Sequence, residues 1–412
     1  MRRTAQAMTA MLGTLLLAGS VTACGAGGAG SSADTITVWS YFSTPQQLEY
    51  QKKAAELFNA EHPEVKVDYV NIPANQLDSK LLAAASTKSG PDVVINNPSA
   101  DFGQLDAAGV MADMTDQWAS LGDPSPYPES VLWKDAEGKI KTFQSYVNIQ
   151  GLWYNQTLLD QYQLAVPTTL EEFENAMEVL KQNGVMPLLM NADPGVDGTW
   201  SWYPFLAGRG VGFCNLDAPE TEEVLSMISG WASKGYMPTA YQELTNVQTP
   251  AMFTKGDVGF MLNGNWNLGQ IQKESDFTFG ATAIPAGPEG THVLLGGEGQ
   301  AVGGYSKNKD LAWEYLKLGW LSADAQQASL DIMGSLVTRT DMQDELAKEP
   351  YLSGFLSEIE TAGTWPQGEN SLTAVTNFGN TISGFAAGQF SAAEAAAKLA
   401  EQMKKDVGDE GC

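Results

Sequence analysis

The residues best suited to binding chemistry in this chain are aromatic side chains set in polar turns. Trp200, Trp202 and Tyr203 crowd into Asp197-Gly198-Thr199-Trp200-Ser201-Trp202-Tyr203-Pro204, and Trp266 stands in Leu262-Asn263-Gly264-Asn265-Trp266-Asn267. Trp39, Tyr41 and Phe42 follow the first apolar run, and Trp365 precedes a proline. A flat apolar ring beside Asn, Asp and Glu suits a sugar, whose C–H faces stack while its hydroxyls need donors and acceptors. Trp200 and Trp266 are therefore expected to face a ligand. Trp202 and Tyr203 read equally well as core packing.

The means for covalent or metal chemistry are sparse. The chain has two histidines, His62 before Pro63 and His292 after a Gly/Pro-rich turn, and neither belongs to a metal-spaced pair. No G-x-S-x-G elbow and no Walker-type phosphate loop occurs. Gly208-Arg209-Gly210-Val211-Gly212 and Gly296-Gly297-Glu298-Gly299 match no dinucleotide fingerprint and read as turns. No metal and no cofactor is expected. A carboxylate pair for glycoside hydrolysis has no fixed spacing in sequence, so that chemistry stays open among 49 acidic residues.

The amino terminus speaks to location. Met1-Arg2-Arg3 is basic, Ala10 to Val21 is apolar with small residues interspersed, and Val21-Thr22-Ala23-Cys24 follows. This is the pattern of a secretory signal over 1–23, too short in its apolar part to span a membrane. An aliphatic residue, two small residues and Cys resemble a bacterial lipobox, with Cys24 as the lipidated first residue of the mature chain. Residues 24–33 form a Gly/Ala/Ser tether that cannot bury a core. The expected location is the outer face of the cell membrane of a Gram-positive bacterium. The formal net charge of −26 repels nucleic acid and anionic headgroups, so the membrane is met through the lipid anchor alone.

The elements that must hold the aromatic residues follow an α/β rhythm. Ile36 to Trp39 is strand-like, and Thr44, Pro45 and Gln47 make a helix start whose helix ends before His62-Pro63. Val65 to Val70 alternates like a strand, Leu77 to Ala85 is helical, and Val93-Val94-Ile95 reads as a buried strand. The rhythm returns with a capped helix at Thr168 to Phe173 and strands at Met186 to Met190, Val258 to Leu262 and Phe277 to Ala281. Helices are expected from Asp310 to Leu321 and from Ala392 to Lys405. Two α/β lobes with a cleft between them account for this order and length.

Several stretches in this order resemble the extracellular solute-binding proteins of ABC importers, in the oligosaccharide-binding group that includes maltose-binding protein. They are Ile36-Thr37-Val38-Trp39, Gly90-Pro91-Asp92-Val93-Val94, Trp153-Tyr154-Asn155 and Pro167-Thr168-Thr169. Met252-Phe253-Thr254-Lys255-Gly256-Asp257, Met261 to Trp266 and Ser306-Lys307-Asn308 continue the match. The resemblance implies an α/β, two-lobe, periplasmic-binding-protein-like fold with the ligand cleft between lobes joined by crossing segments. The first lobe would hold 34–146 and 281–335, the second 147–280 and 336–412.

By the same resemblance, Trp266 and Trp200 are the stacking rings, and Tyr41 and Ser43 offer polar contacts after the first strand. Asn97 and Asp101 belong to a second contact loop. Asn148 lies on a crossing segment, Glu298 in a Gly-Gly-x loop and Trp365 in a C-terminal loop facing the cleft. Asn96 stands where maltose-binding protein has a tryptophan, a departure from maltose specificity. Cys214 and Cys412 would share a lobe, and an oxidising location permits a disulfide between them. The expected partners are an oligosaccharide and the transmembrane subunits of an ABC permease, with the binding protein itself a monomer and not an enzyme. The rival readings are the same fold with a polyamine, peptide or metal-chelate ligand, a lipid-anchored glycoside hydrolase, and an adhesin.

Overall fold

A computed structural model describes residues 35–408 apart from 123–124, 349–350, 360–361, 364 and 367–369. The signal over 1–23, Cys24, the tether and Cys412 lie outside the described residues.

The strands in chain order are β1 (Thr35–Ser40), β2 (Lys66–Asn71), β3 (Val93–Asn96), β4 (Leu132–Lys134), β5 (Ile140–Phe143) and β6 (Tyr146–Val147). They continue as β7 (Gln150–Asn155), β8 (Met186–Leu189), β9 (Val258–Gly264), β10 (Phe279–Thr282), β11 (Gly299–Val302) and β12 (Leu336–Val337). One sheet has the order β2-β1-β3-β11-β5-β4, and a second the order β10-β7-β9-β8. β1 runs parallel to both β2 and β3, each reached through a helical crossover, as parallel pairing requires. β11 enters antiparallel beside β3 from 200 residues downstream, pairing Gly299 with Asn96 and Val302 with Val93.

Local chemistry sets the crossovers. Thr44 Oγ1 accepts from Gln47 N at 3.3 Å and Gln47 Oε1 accepts from Thr44 N at 3.1 Å, closing the capping box of helix Pro45–Glu61. Thr169 and Glu172 do the same for helix Leu170–Gln182.

Two cores lie under the two sheets. Ile36, Val38, Val93, Val94, Ile95 and Phe143 anchor the first, and Leu152, Trp153, Leu188, Phe260 and Met261 the second. Each such fully buried side chain contributes about 1.5–3 kcal/mol of transfer free energy. The cores part between Tyr146, in the first, and Val147, in the second. Ala281, Ile284, Val293 and Leu294 pack in the second core, and β10 completes the second sheet. The segment from 281 to about 294, assigned to the first lobe by resemblance, thus packs with the second. A boundary at 281 would cut a strand whose residues Phe279 to Thr282 all pair with β7.

Three segments cross between the lobes, around 146–150, 295–299 and 334–338. β6 pairs with β12, while Asn148 and Gly296 form a two-way bridge at 3.1 and 2.7 Å. The buried Asn265 ties them further. Its Oδ1 accepts from Ile149 N at 2.9 Å, and its Nδ2 donates to Gly334 O at 3.0 Å and to Asn148 Oδ1 at 3.3 Å.

Candidate functional site

A cleft of about 930 Å³ opens where the lobes meet. That volume is at the upper end of the roughly 300–1,000 Å³ of small-molecule sites. Tyr41, Ser43, Thr44, Gln47 and Asn71 line it from the first lobe, and Asp197, Trp200, Asn246, Trp266 and Gln270 from the second. Tyr146, Asn148, Glu298 and Ser335 reach it from the crossing segments. Six of the nine binding residues expected from sequence are therefore brought together: Tyr41, Ser43, Asn148, Trp200, Trp266 and Glu298.

The second lobe supplies an aromatic wall. Trp200 and Trp266 stack with ring centroids 5.0 Å apart and planes 30° apart. Trp200 sits on helix Val196–Ala207, and its Nε1 donates to Leu294 O at 2.9 Å. Trp266 follows β9 in a short turn over Gly264. Both rings are half-buried, so each keeps surface for a ligand. Trp202 and Tyr203, on the same helix as Trp200, point into the core. Trp202 Nε1 donates to Asn191 O at 3.1 Å, and Tyr203 stacks on Phe213.

The first lobe and the crossing segments supply polar groups. Glu298 is buried, and its Oε1 accepts from Gln47 Nε2 at 3.5 Å. Burial raises the Glu298 carboxyl above the usual carboxylate range, against the lowering effect of the Tyr146 and Tyr41 hydroxyls. Tyr41 is itself raised well above a normal tyrosine, first by burial and then by the charges of Glu298 and Asp101.

Three expected residues do not line the cleft. Asp101 turns inward, accepting from Asn96 Nδ2 at 2.8 Å and Asn97 N at 3.0 Å. Burial lifts its carboxyl well above the normal range, and the neighbouring Asp78 carboxyl lifts it further. Asn97 precedes the helix Pro98–Ala107, which packs across on helix Ser371–Ala386 of the other lobe; Ser371 Oγ donates to Ala100 O at 3.1 Å. Trp365 is buried behind Trp200, edge-on at 6.2 Å, with its Nε1 donating to Leu295 O at 2.6 Å. It braces the platform rather than facing the cleft. Cys214 lies exposed in the turn Phe213–Asn215, on which helix Ala392–Val407 packs.

Sequence reasoning missed Gln47, Asn71, Asn246, Asp197 and Gln270. Gln47 carried only the signal of a helix cap. Asn246 receives a hydrogen bond from Asn191, and its carbonyl accepts from Asn263 Nδ2 at 3.0 Å. Asp197 is raised by burial and held down in part by Asn246. The density of Asn around 191, 246 and 263 was the available signal.

Among the described residues no group of His, Cys, Asp and Glu is arranged to hold a metal ion. No helix there is long and apolar enough to cross a membrane. The arrangement is that of a binding cleft: stacking rings on one lobe, hydrogen-bonding groups on the other, and a jointed crossing between.

Known proteins are similar to this chain. Over 377 residues the chain is 24% identical to the multiple sugar-binding protein of Streptococcus mutans, covering 84% of this chain and 87% of that one. It is 28% identical over 157 residues to the melibiose/raffinose/stachyose-binding protein MelE of Bacillus subtilis, covering 37% of this chain and only 35% of the relative's length. The GacH receptor of Streptomyces glaucescens, solved unliganded and with acarbose, superposes with a TM-score of 0.80 at 24% identity, over 90% of this chain and 98% of that one. A profile of the bacterial extracellular solute-binding protein family matches residues 53–353. The chain belongs to that family.

Proposed function

We propose that this protein captures an oligosaccharide between its two lobes and hands it to the permease of an ABC importer. The observation that carries the reading is the stacked Trp200–Trp266 wall, set opposite Tyr41, Gln47 and Glu298 in a cleft that spans both lobes. Rings bind sugar C–H faces, and the surrounding amides, hydroxyls and carboxyls take the sugar hydroxyls. The relatives named for sugars favour the same ligand class. A ligand that touches both lobes binds the closed form better than the open one and shifts the balance between them. Closure then tells the permease that the site is full. Cys24 anchors the chain outside the cell, and its tether keeps the carrier at high effective concentration beside the permease.

A thermal-shift screen of the soluble chain against an oligosaccharide library tests the reading, because a ligand of the native state alone raises its stability. About 2.7 kcal/mol is expected at a hundredfold excess over Kd. Chromatography of the mixture should return the sugar intact, and shorter products would instead mark a hydrolase. Metabolic labelling with a fatty acid should be lost in Cys24→Ser.

A further inference from the structure

The charge lining the cleft is one-sided. Among the described residues that line it, Asp197 and Glu298 are acidic and none is lysine, arginine or histidine. Glu298 is 6% exposed, and its Oε2 makes no hydrogen bond. Its Oε1 takes a long contact from Gln47 Nε2, at 3.5 Å, and the neutral Tyr41 and Tyr146 hydroxyls act on the same carboxyl. The groups that act on this floor are the Tyr41 and Tyr146 hydroxyls, with the Asp101 and Asp78 carboxyls acting through Tyr41. Each carboxyl in that set adds negative potential when ionised, burial raises all three, and no described residue lining the cleft is a cation to balance them.

A buried carboxylate oxygen without a donor is costly unless the ligand supplies one. A charged donor supplies the most, since hydrogen bonds between ions are stronger than neutral ones. An acidic sugar would instead bring another anion into a partly desolvated site without a counter-charge, which is strongly unfavourable.

We infer that the cleft selects by charge: it prefers an oligosaccharide carrying a protonated amine against Glu298, and it excludes sugars that carry carboxylate groups. This rests on the sugar-binding reading above, whose failure has its own signature in the test.

Four probes are compared by calorimetry with the soluble chain at about pH 8, where an alkylamine keeps its proton and a raised carboxyl is better ionised: an aminoalkyl-substituted amino-oligosaccharide, a neutral oligosaccharide of equal length, an oligogalacturonate and spermidine. The amino-oligosaccharide is expected to bind about tenfold or more tighter than the neutral one, with no measurable binding of the galacturonate. Glu298→Gln should bring the ratio of amino to neutral affinity to about one, and the melting curve of the ligand-free variant checks its fold. Asp197→Asn serves as a second variant should Glu298→Gln misfold, and should lower the same ratio. Galacturonate binding as well as the neutral sugar overturns the inference, as does an amine preference that survives both substitutions. Binding of spermidine with none of the sugars leaves charge selection standing and overturns the sugar reading. Silence from all four probes overturns both.

Discussion

The aromatic wall depends on two positions that lack a Cβ. A Cβ at Gly264 would lie 1.8 Å from the Trp266 ring, and one at Gly296 would lie 2.2 Å from that of Trp200. Both contacts are far inside van der Waals distance, so each indole occupies the space a side chain would take. Trp266→Ala and Trp200→Ala are each expected to weaken sugar binding about tenfold or more, with the melting temperature kept, because both rings are half-buried. Gly264→Ala should weaken binding to a similar degree while leaving all aromatic residues present. Calorimetry beside intrinsic tryptophan fluorescence separates the two effects, since a displaced ring changes the emission of the ligand-free protein. Unchanged affinity in all three variants would sink the stacking assignment. The sequence pointed to these rings because they stand among Asn, Asp and Gly, although Trp200 lies on a helix and Trp365, read in the same way, is buried behind it. Asp101 looked similar on paper, yet Asn96 and Asn97 satisfy it locally, and hydrogen bonds of that kind leave no mark on composition or spacing.

Elements whose signals are local were readable before the structure. Thr44 with Gln47 and Thr169 with Glu172 mark helix starts through bonds three residues apart, and both helices begin there. The strand character around 277–281 was also plain, but which sheet it joins depends on partners more than a hundred residues away. β10 pairs with β7, and the segment after it is held to the second lobe by Glu358, whose Oε1 accepts from Ile284 N at 2.9 Å. Glu358 is 1% exposed, and burial pushes its carboxyl up to about 8, against the lowering hydrogen bond from Ile284. The native state therefore keeps a proton that the unfolded chain, titrating at about 4.3, has already released. Stability from this group is full below about pH 4.3 and is lost as pH rises through about 8. Glu358→Gln keeps an acceptor for Ile284 without the ionisation. The stability of the variant relative to the parent should accordingly rise across that window in urea titrations at a series of pH values. A difference that stays constant with pH would show that Glu358 does not titrate in this way.

At the scale of the molecule, the proposed capture requires that the cleft walls approach each other about the crossing segments. Asn265 links two of those segments and contacts Asn148, which is bridged to the third, so the joint is bonded at its centre. Val247 stands on the second-lobe lip with 81% of its surface exposed, an unusual place for a large aliphatic residue. Leu48, Ile72 and Pro73 line the same cleft from the first lobe. Closure would bring these apolar groups together and remove Val247 from water, adding to the closed state a term absent from the open one. Spin labels at Ser43 and Val247, one on each lip, read that movement directly when Cys24, Cys214 and Cys412 are replaced by serine. Saturating oligosaccharide is expected to shorten the distance between them. A control pair at Ser43 and the exposed Val70, both on the first lobe, should report no change. If the lip distance holds while calorimetry shows the sugar bound, the ligand sits on a fixed surface and closure cannot be what the permease recognises. If it shortens, then Val247→Ser should shift the balance back toward the open form, lowering affinity without touching any polar contact to the sugar, because only the closed state loses the buried methyl groups.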